Sequence, residues 1–287
     1  WCERVGLDPL AARRADADAW VAHLDGAPRT VARRIAGVSS WYRYLVDHEV
    51  TDRNPMTGVR RPQVARDESP TVGLTERQAA AVLTAADEHA RRVGSEPALR
   101  DAAILRLLFD TGLRVGSLLG ADIASLGHDS GHRIIRYVNK GGYHKRAVIP
   151  PHAAELLDRY LARRAAREDV PVDQLTGPLF VTTPHRTHPG GRRLTRQEVT
   201  RALHRAAEAA GIPHARRLSP HSARRTFVTL ALADAPLERV QAAVGHQDPR
   251  TTLLYQDGRD ALDQSPVYAV AGRLAAAQHA TRTCDAG

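Results

Sequence analysis

The chain has 287 residues, of which 43% are hydrophobic and 25% are charged, a composition typical of a globular protein with one large or two smaller domains. No apolar run approaches the length of a membrane span and no signal-peptide pattern is present, so membrane and secreted proteins are disfavoured and a cytoplasmic protein is expected. The formal charge of +9 and the isoelectric point of about 10.2 favour a polyanionic partner, above all nucleic acid.

The cysteines and histidines indicate neither a disulfide framework nor a metal site. Cys2 and Cys284 lie at opposite ends of the sequence, which agrees with a reducing compartment. His185 and His188 have a metal-like spacing, but their Thr-, Pro- and Gly-rich surroundings predict a loop, so we expect no metal and no cofactor. Because the sequence begins at Trp1 and not at Met, we expect upstream residues to be missing.

The N-terminal quarter predicts two helices followed by a linker. Helices are expected over 17–26 and 29–48, and in the second one apolar residues recur at helical spacing from Val31 to Leu45. The stretch DRNPMTGVRRPQVARDESP, residues 52–70, then combines prolines, a glycine and charges, as linkers do. The predicted organisation is a helical domain over 1–66, a linker over 67–73 and a second domain over 74–287.

The second domain is expected to be mainly helical with one small antiparallel sheet. Thr75 suits the start of a helix, although the glutamate follows at the next position and not at the capping-box position. The apolar stretch ALRDAAILRLLFD predicts a buried helix that Gly112 ends. Two β-rich runs, HRIIRYVN and HKRAVIP, are joined by KGGY, which indicates a hairpin. From about residue 152 onward the sequence predicts helices, interrupted by a loop at 182–193.

Basic residues that can bind a phosphate lie at two predicted helix starts in this domain. Arg114 follows the Gly-terminated helix and begins the next one. In LSPHSARRTF, a Ser-Pro pair predicts a helix start, and His221, Arg224 and Arg225 then share one face. Each arrangement is ordinary by itself, because such residues are usually solvated surface groups.

Further candidates come from two other stretches. In LERVQAAVGHQDPRTTLLYQD a helix is expected to end at Gly245, so that His246 follows its C-terminus and the next helix carries Tyr255. Taken alone, a Gly-His pair is most often a helix cap and a single tyrosine is most often part of the core. The only two lysines of the chain, Lys140 and Lys145, both lie in the hairpin VNKGGYHKRAVIP.

Together these residue types meet the demands of phosphoryl transfer at a phosphodiester. Two arginines can hold the phosphate oxygens by forked hydrogen bonds, and histidines can donate to the same oxygens or accept a proton. A tyrosine hydroxyl can attack phosphorus and form a covalent ester. A lysine can protonate the departing alkoxide, which an arginine, with a pKa above about 12, cannot do readily. Such a set needs no metal, because the reaction depends mainly on positioning and charge stabilisation.

The order TGLR, lysine hairpin, H-x-x-R, GH and Tyr resembles the tyrosine recombinase (phage integrase) family over roughly residues 74–287, and GHQDPRTTLLY is the most specific stretch. The N-terminal helices and linker resemble that family's core-binding domain more weakly. The resemblance implies a site-specific DNA recombinase that cleaves and rejoins strands through a 3′-phosphotyrosine intermediate and a Holliday junction, without metal or ATP. It implies these catalytic residues: Arg114 and Arg224 to clamp the phosphate, Lys140 as general acid, His221 and His246 to assist, and Tyr255 as nucleophile.

Three positions depart from the family pattern. Ser117 stands where an acidic residue is usual, Ser222 where Asp is common, and Arg225 where His is common. Because the acid is mainly a buttress in the family, its replacement weakens the expectation of activity without removing it. The hairpin turn is also one residue longer than the usual pattern, so Lys145 stays open as an alternative to Lys140.

The resemblance implies double-stranded DNA with a specific recombination site as the partner, a homo-tetramer in the synaptic complex and a monomer when free. It also implies accessory DNA-bending or directionality factors, no membrane, and a cytoplasmic, nucleoid-associated protein of a prokaryote or phage. Two alternatives remain open: a type IB topoisomerase that relaxes DNA, and a catalytically silent DNA-binding protein. Further DNA contacts are expected at six basic residues: Arg33, Arg34, Arg60, Arg61, Lys145 and Arg225.

The two lysines give a first prediction. Lys140→Arg should bind DNA nearly normally but cleave it about 10²- to 10⁴-fold more slowly, because the general acid is lost. A substrate with sulfur in place of the 5′ bridging oxygen leaves as a thiolate and needs no proton, so in a cleavage assay it should rescue Lys140→Arg and not Arg114→Ala. If the sulfur substrate rescues Lys145→Arg and not Lys140→Arg, the general acid is Lys145. If it rescues neither variant, both lysines only contact phosphates.

Overall fold

A computed structural model describes residues 1–63, 72–139, 142–186 and 188–245. The chain divides into two compact units, Trp1–Glu68 and Ser69–Gly287, so the boundary between them falls inside the stretch expected to be a linker. The mainly helical fold with a small antiparallel sheet is confirmed. Among the described residues, no helix is long and apolar enough to cross a membrane.

The first unit is a small helical cluster around one long helix. Its helices are α1 (Cys2–Val5), α2 (Arg14–Ala22) and α3 (Pro28–Asp47), with a 3₁₀ turn at Pro9–Ala11. The core is built on the apolar face of α3, whose buried residues include Ile35. We expected α2 over 17–26, and that range was wrong at both ends. The Asp16 carboxylate accepts a hydrogen bond from the backbone N–H of Arg13 at 2.8 Å, which fixes an earlier first turn. The helix ends well before Gly26, whose φ of 125° is not helical.

The expected linker is only partly a linker. The side chain of Met56 is buried among the helices of the first unit, with 4% of its surface exposed. The amide of Asn54 donates to the carbonyl of Ser39 at 3.1 Å and accepts from the backbone N–H of Met56 at 2.9 Å. The beginning of the polar, Pro-containing stretch is therefore fixed to the core, which its composition did not indicate.

The second unit is built around the helix α5 (Glu96–Thr111), which is buried along almost its whole length. A three-stranded antiparallel sheet has its strands in the order β1 (Leu126–Asp129), β2 (His132–Val138) and β3 (His144–Val148). Ile135 pairs with Ala147, and Tyr137 with Lys145, between the second and third strands. Strand β1 was not predicted from the sequence. The other helices are α4 (Glu76–Val93), α6 (Val115–Gly120), α7 (Pro151–Glu168), α8 (Arg196–Ala209), α9 (Pro220–Asp234) and α10 (Leu237–Val244).

Thr75 begins α4, but its capping box was missed. The Gln78 side chain accepts from the backbone N–H of Thr75 at 3.0 Å, and the Thr75 hydroxyl accepts from the backbone N–H of Gln78 at 3.2 Å. A glutamine therefore fills the position at which only a glutamate was sought.

The interruption after α7 is wider than the predicted loop at 182–193, because it extends from Asp169 to the start of α8. The buried guanidinium of Arg164 donates to the carbonyls of Pro178 at 2.5 Å and Thr176 at 3.0 Å. A side chain thus satisfies backbone groups that a helix would otherwise satisfy internally. At the tip of the loop, His185 and His188 pair through two backbone hydrogen bonds, and no cluster of potential metal ligands occurs within the described ranges.

The end of α5 gives a prediction about stability. Gly112 caps this helix with φ 61°, and an added Cβ would lie 2.9 Å from Cγ of Phe227. We expect Gly112→Ala to lower the free energy of unfolding by about 2–4 kcal/mol, through left-handed strain and overpacking. The control is Gly120→Ala in α6, where nothing lies within 4 Å of an added Cβ. Equal urea unfolding curves for the two variants would contradict this view of the helix end.

Candidate active site

One cavity of about 450 Å³ in the second unit collects three of the predicted catalytic residues. Its wall includes Arg114, His221 and Arg224, and also Asn139 and Arg196, which the sequence reasoning did not single out. Residues in the first turns of α8 and α9 line it, so the positive ends of two helix dipoles reinforce the arginines. The cavity is therefore suited to an anion.

Arg114 lies at the start of α6, two residues after the glycine that ends α5. Its guanidinium donates to Oδ1 of Asn139 at 2.5 Å. Ser117, one turn further along α6, donates its hydroxyl to the carbonyl of Val138 at 3.0 Å. The serine that replaces the expected acid therefore still links α6 to the end of β2, beside the hairpin.

Arg224 is buried, with 2% of its surface exposed. Its guanidinium donates to the carbonyl of Gly112 at 2.7 Å and to that of Val244 at 2.8 Å. These carbonyls belong to the C-terminal ends of α5 and α10, where the helix dipoles place negative partial charge. This arrangement stabilises a buried cation in the wall of the cavity.

His221 is exposed at the cavity, on the first turn of α9. The surrounding protein nevertheless displaces enough water to lower the pKa of the imidazole, and the charges of Arg224, Arg114, Arg196 and Arg225 lower it further. The imidazole is consequently neutral near pH 7 and able to accept a proton.

The other expected site residues are distributed differently. Arg225 lies on α9 next to Arg224 but does not line the cavity. Its side chain packs against Gly73, where an added Cβ would lie 3.3 Å from Cδ of Arg225. Lys145 is exposed on β3 and is also absent from the cavity wall. The four arginines of the first unit that were expected to contact DNA are all exposed, namely Arg33, Arg34, Arg60 and Arg61. Three expected catalytic residues lie outside the described residues, namely Lys140, His246 and Tyr255.

Asn139 and Arg196 were missed for different reasons. Arg196 is the first residue of α8 and follows Thr195, which forms a capping box with Glu198. The T-x-x-E signature identifies this helix start in the sequence, but nothing local indicates that the start faces the other arginines. Asn139 acts through contacts with residues far away in the sequence, so no local pattern could identify it.

Comparisons with known proteins show the family to which the chain belongs. The model of the phage integrase family matches residues 73–261. Tyrosine recombinase XerC of Myxococcus xanthus is 30% identical over 257 residues, which cover 88% of this chain and 80% of the relative. Tyrosine recombinase XerD of Mycobacterium leprae (strain TN) is 32% identical over 248 residues, which cover 86% and 74%. The chain therefore belongs to the phage integrase family, and the resemblance seen in the sequence is confirmed.

Solved structures share the fold. The XerH site-specific recombinase bound to a palindromic difH substrate superposes with a TM-score of 0.67 at 17% identity, covering 91% of this chain and 72% of that chain. The Tn1549 transposon integrase in complex with circular intermediate DNA gives a TM-score of 0.61 at 20% identity, covering 88% and 83%. The relatives XerC and XerD, both tyrosine recombinases, favour a recombinase over the two alternatives.

The environment of His221 gives a prediction. We expect the pKa of its imidazole, followed by NMR titration, to lie below the usual value of 6.5, and Arg196→Ala to raise it because one positive charge is removed. The folded state then binds this proton less tightly than the unfolded state, so the contribution of His221 to stability is lost as the pH falls below about 6.5. Arg159→Ala, on the exposed side of α7, is the control and should leave the titration unchanged. An imidazole pKa above 6.5, or one that does not change in Arg196→Ala, would contradict this description of the surroundings of His221.

Proposed function

We propose that this protein is a site-specific DNA recombinase that cleaves and rejoins DNA strands through a 3′-phosphotyrosine intermediate. The observation that carries the proposal is the convergence of Arg114, Arg224 and His221 on one anion-favouring cavity. Membership of the phage integrase family supports the same reaction. The chemical role of each residue is inferred from this convergence together with the family resemblance.

The scissile phosphate would occupy the cavity with its non-bridging oxygens toward Arg114. Arg224 would supply buried positive charge behind it, and His246, which follows Gly245 at the end of α10, would donate a further hydrogen bond. Preorganised charge of this kind stabilises the extra negative charge on the oxygens in the transition state. The first turns of α8 and α9 add to it.

The cleavage step needs no reactant other than the protein and the DNA. The phenolic oxygen of Tyr255 attacks phosphorus, the phosphorus–O5′ bond breaks, and a 3′-phosphotyrosine ester and a free 5′ hydroxyl result. Lys140 gives its proton to the departing 5′ oxygen, and neutral His221 accepts the proton of the tyrosine. Attack by a 5′ hydroxyl of the partner strand reverses the sequence and completes the exchange, so neither ATP nor a metal enters a step.

The basic surface suits a long DNA duplex. The formal charge of +9 favours phosphate binding, and the exposed arginines of the first unit would contact the backbone on flanking DNA. The neighbours crystallised with DNA support a DNA partner. We further propose a monomer that assembles into a tetramer on two recombination sites in the cytoplasm, with accessory DNA-bending or directionality factors. The candidate backbone contacts are Arg33, Arg34, Arg60, Arg61, Lys145 and Arg225.

A silent DNA-binding protein is disfavoured by the contact that Ser117 makes. The missing acid was the only feature that pointed to inactivity, and the hydroxyl of Ser117 still bonds to the carbonyl of Val138. The link between α6 and the hairpin is therefore retained by a shorter side chain.

Covalent trapping tests the proposed function. A duplex bearing the recombination site, selected from a random library by binding, would carry a nick beside the cleavage position so that the released fragment diffuses away. The wild-type protein should accumulate a protein–DNA adduct, with EDTA present or absent, and Tyr255→Phe should bind the duplex and form none. Tyr268→Phe is the control, because it removes the nearest other tyrosine and should leave the adduct intact.

Two outcomes would overturn the proposal. An adduct that persists in Tyr255→Phe and disappears in Tyr268→Phe would show that Tyr268, and not Tyr255, is the nucleophile. Cleavage that EDTA abolishes and magnesium restores would replace the metal-free mechanism.

A further inference from the structure

Asn139 lies at the junction of three parts of the candidate active site. It directly follows β2 and is buried, with 7% of its surface exposed. Its backbone closes the turn of the hairpin: its N–H donates to the carbonyl of Tyr143 at 2.8 Å, and its carbonyl accepts from the N–H of Gly142 at 3.0 Å. The next residue in the sequence is Lys140, the expected general acid.

The side-chain amide joins the other two parts. Its Oδ1 accepts from the guanidinium of Arg114 at 2.5 Å, and its Nδ2 donates to the carbonyl of Gly245 at 3.1 Å. A guanidinium can only donate and a carbonyl can only accept, so these two partners define which end of the amide is oxygen and which is nitrogen. Among the uncharged side chains of similar size, only an asparagine satisfies both at once.

The contact with Gly245 is close enough to restrict that residue. Gly245 ends α10 with φ 64°, and an added Cβ would lie 2.6 Å from Nδ2 of Asn139. Any larger residue would both strain the backbone and displace the amide. The glycine therefore serves the helix end and the approach of Asn139 together.

We propose that Asn139 is a positioning residue for the cleavage reaction, and this inference rests on the proposed function. The side-chain amide fixes Arg114 and holds the carbonyl of Gly245 at the end of α10, after which His246 follows in the sequence. The backbone of the same residue closes the hairpin turn, and Lys140 is the next residue in the sequence. The positions of three groups that must converge on one phosphate thus depend on a single buried residue, two of them through its side chain. Loss of the amide should disturb their alignment and slow the chemistry, while the DNA-binding surfaces remain.

The test separates alignment from general stability by comparing the only two asparagines of the chain. Asn139→Ala removes the junction, and Asn54→Ala removes a comparable amide that holds a backbone carbonyl in the first unit at 3.1 Å. For each variant, the DNA dissociation constant, the melting temperature and the first-turnover cleavage rate at saturating protein would be measured on the nicked duplex. Asn139→Ala should cleave about 10- to 100-fold more slowly at nearly unchanged affinity, whereas Asn54→Ala should lower only the melting temperature.

Asn139→Leu provides a second variant, of similar size and uncharged, that loses both the acceptor for Arg114 and the donor to Gly245. It should also cleave slowly at unchanged affinity, and it decides the question if Asn139→Ala does not fold. A wild-type cleavage rate in a folded Asn139 variant, or a loss that merely follows the melting temperature as in Asn54→Ala, would overturn the inference. A wild-type protein that forms no adduct would instead contradict the proposed function, and the inference with it.

Discussion

The guanidinium of Arg224 donates to the carbonyls of Gly112 and Val244, and the candidate site is organised around these two hydrogen bonds. They tie together the C-terminal ends of α5 and α10, two helices that are far apart in the sequence. A buried cation is costly unless its surroundings compensate it, and helix ends supply such compensation through their partial negative charge. The same interaction that stabilises the fold thus keeps a positive charge in the wall of a cavity suited to a phosphate.

The C-terminal ends of α5 and α10 are built in the same way. Each ends at a glycine in the left-handed conformation, Gly112 with φ 61° and Gly245 with φ 64°. Arg114, which lines the cavity, follows the first glycine by two residues, and His246 follows the second by one in the sequence. The amide of Asn139 joins Arg114 to the carbonyl of Gly245. Catalytic groups on short segments after rigid helices gain precise positions at little conformational cost, which phosphoryl transfer requires.

The sequence predicted those parts of the fold and site that local chemistry specifies. The glycine that ends α5, the Ser-Pro start of α9 and the hairpin strands follow from capping and turn rules, and all were confirmed. What escaped prediction depends on long-range contacts. The guanidinium of Arg164 donates hydrogen bonds to backbone carbonyls of the irregular segment after α7. The amide of Asn139 donates to the carbonyl of Gly245, 106 residues away in the sequence. The placement of Arg225 against Gly73 likewise depends on packing that helical spacing does not determine. Local rules fix where elements begin and end, whereas the partners of a buried polar side chain emerge only when those elements pack.

The most direct test of this account compares Arg224→Ala with Arg114→Ala, measuring the urea unfolding midpoint and covalent trapping on the same preparations. Arg224→Ala removes two charged hydrogen bonds to buried carbonyls, so its free energy of unfolding should fall by about 3–6 kcal/mol and no adduct should form. Arg114→Ala removes one charged hydrogen bond, to Oδ1 of Asn139, at a less buried position. It should therefore also form no adduct, but its free energy of unfolding should fall by at most half as much as that of Arg224→Ala. An Arg224→Ala variant that unfolds at the wild-type midpoint would contradict the claim that this one side chain supports both the fold and the charge of the site.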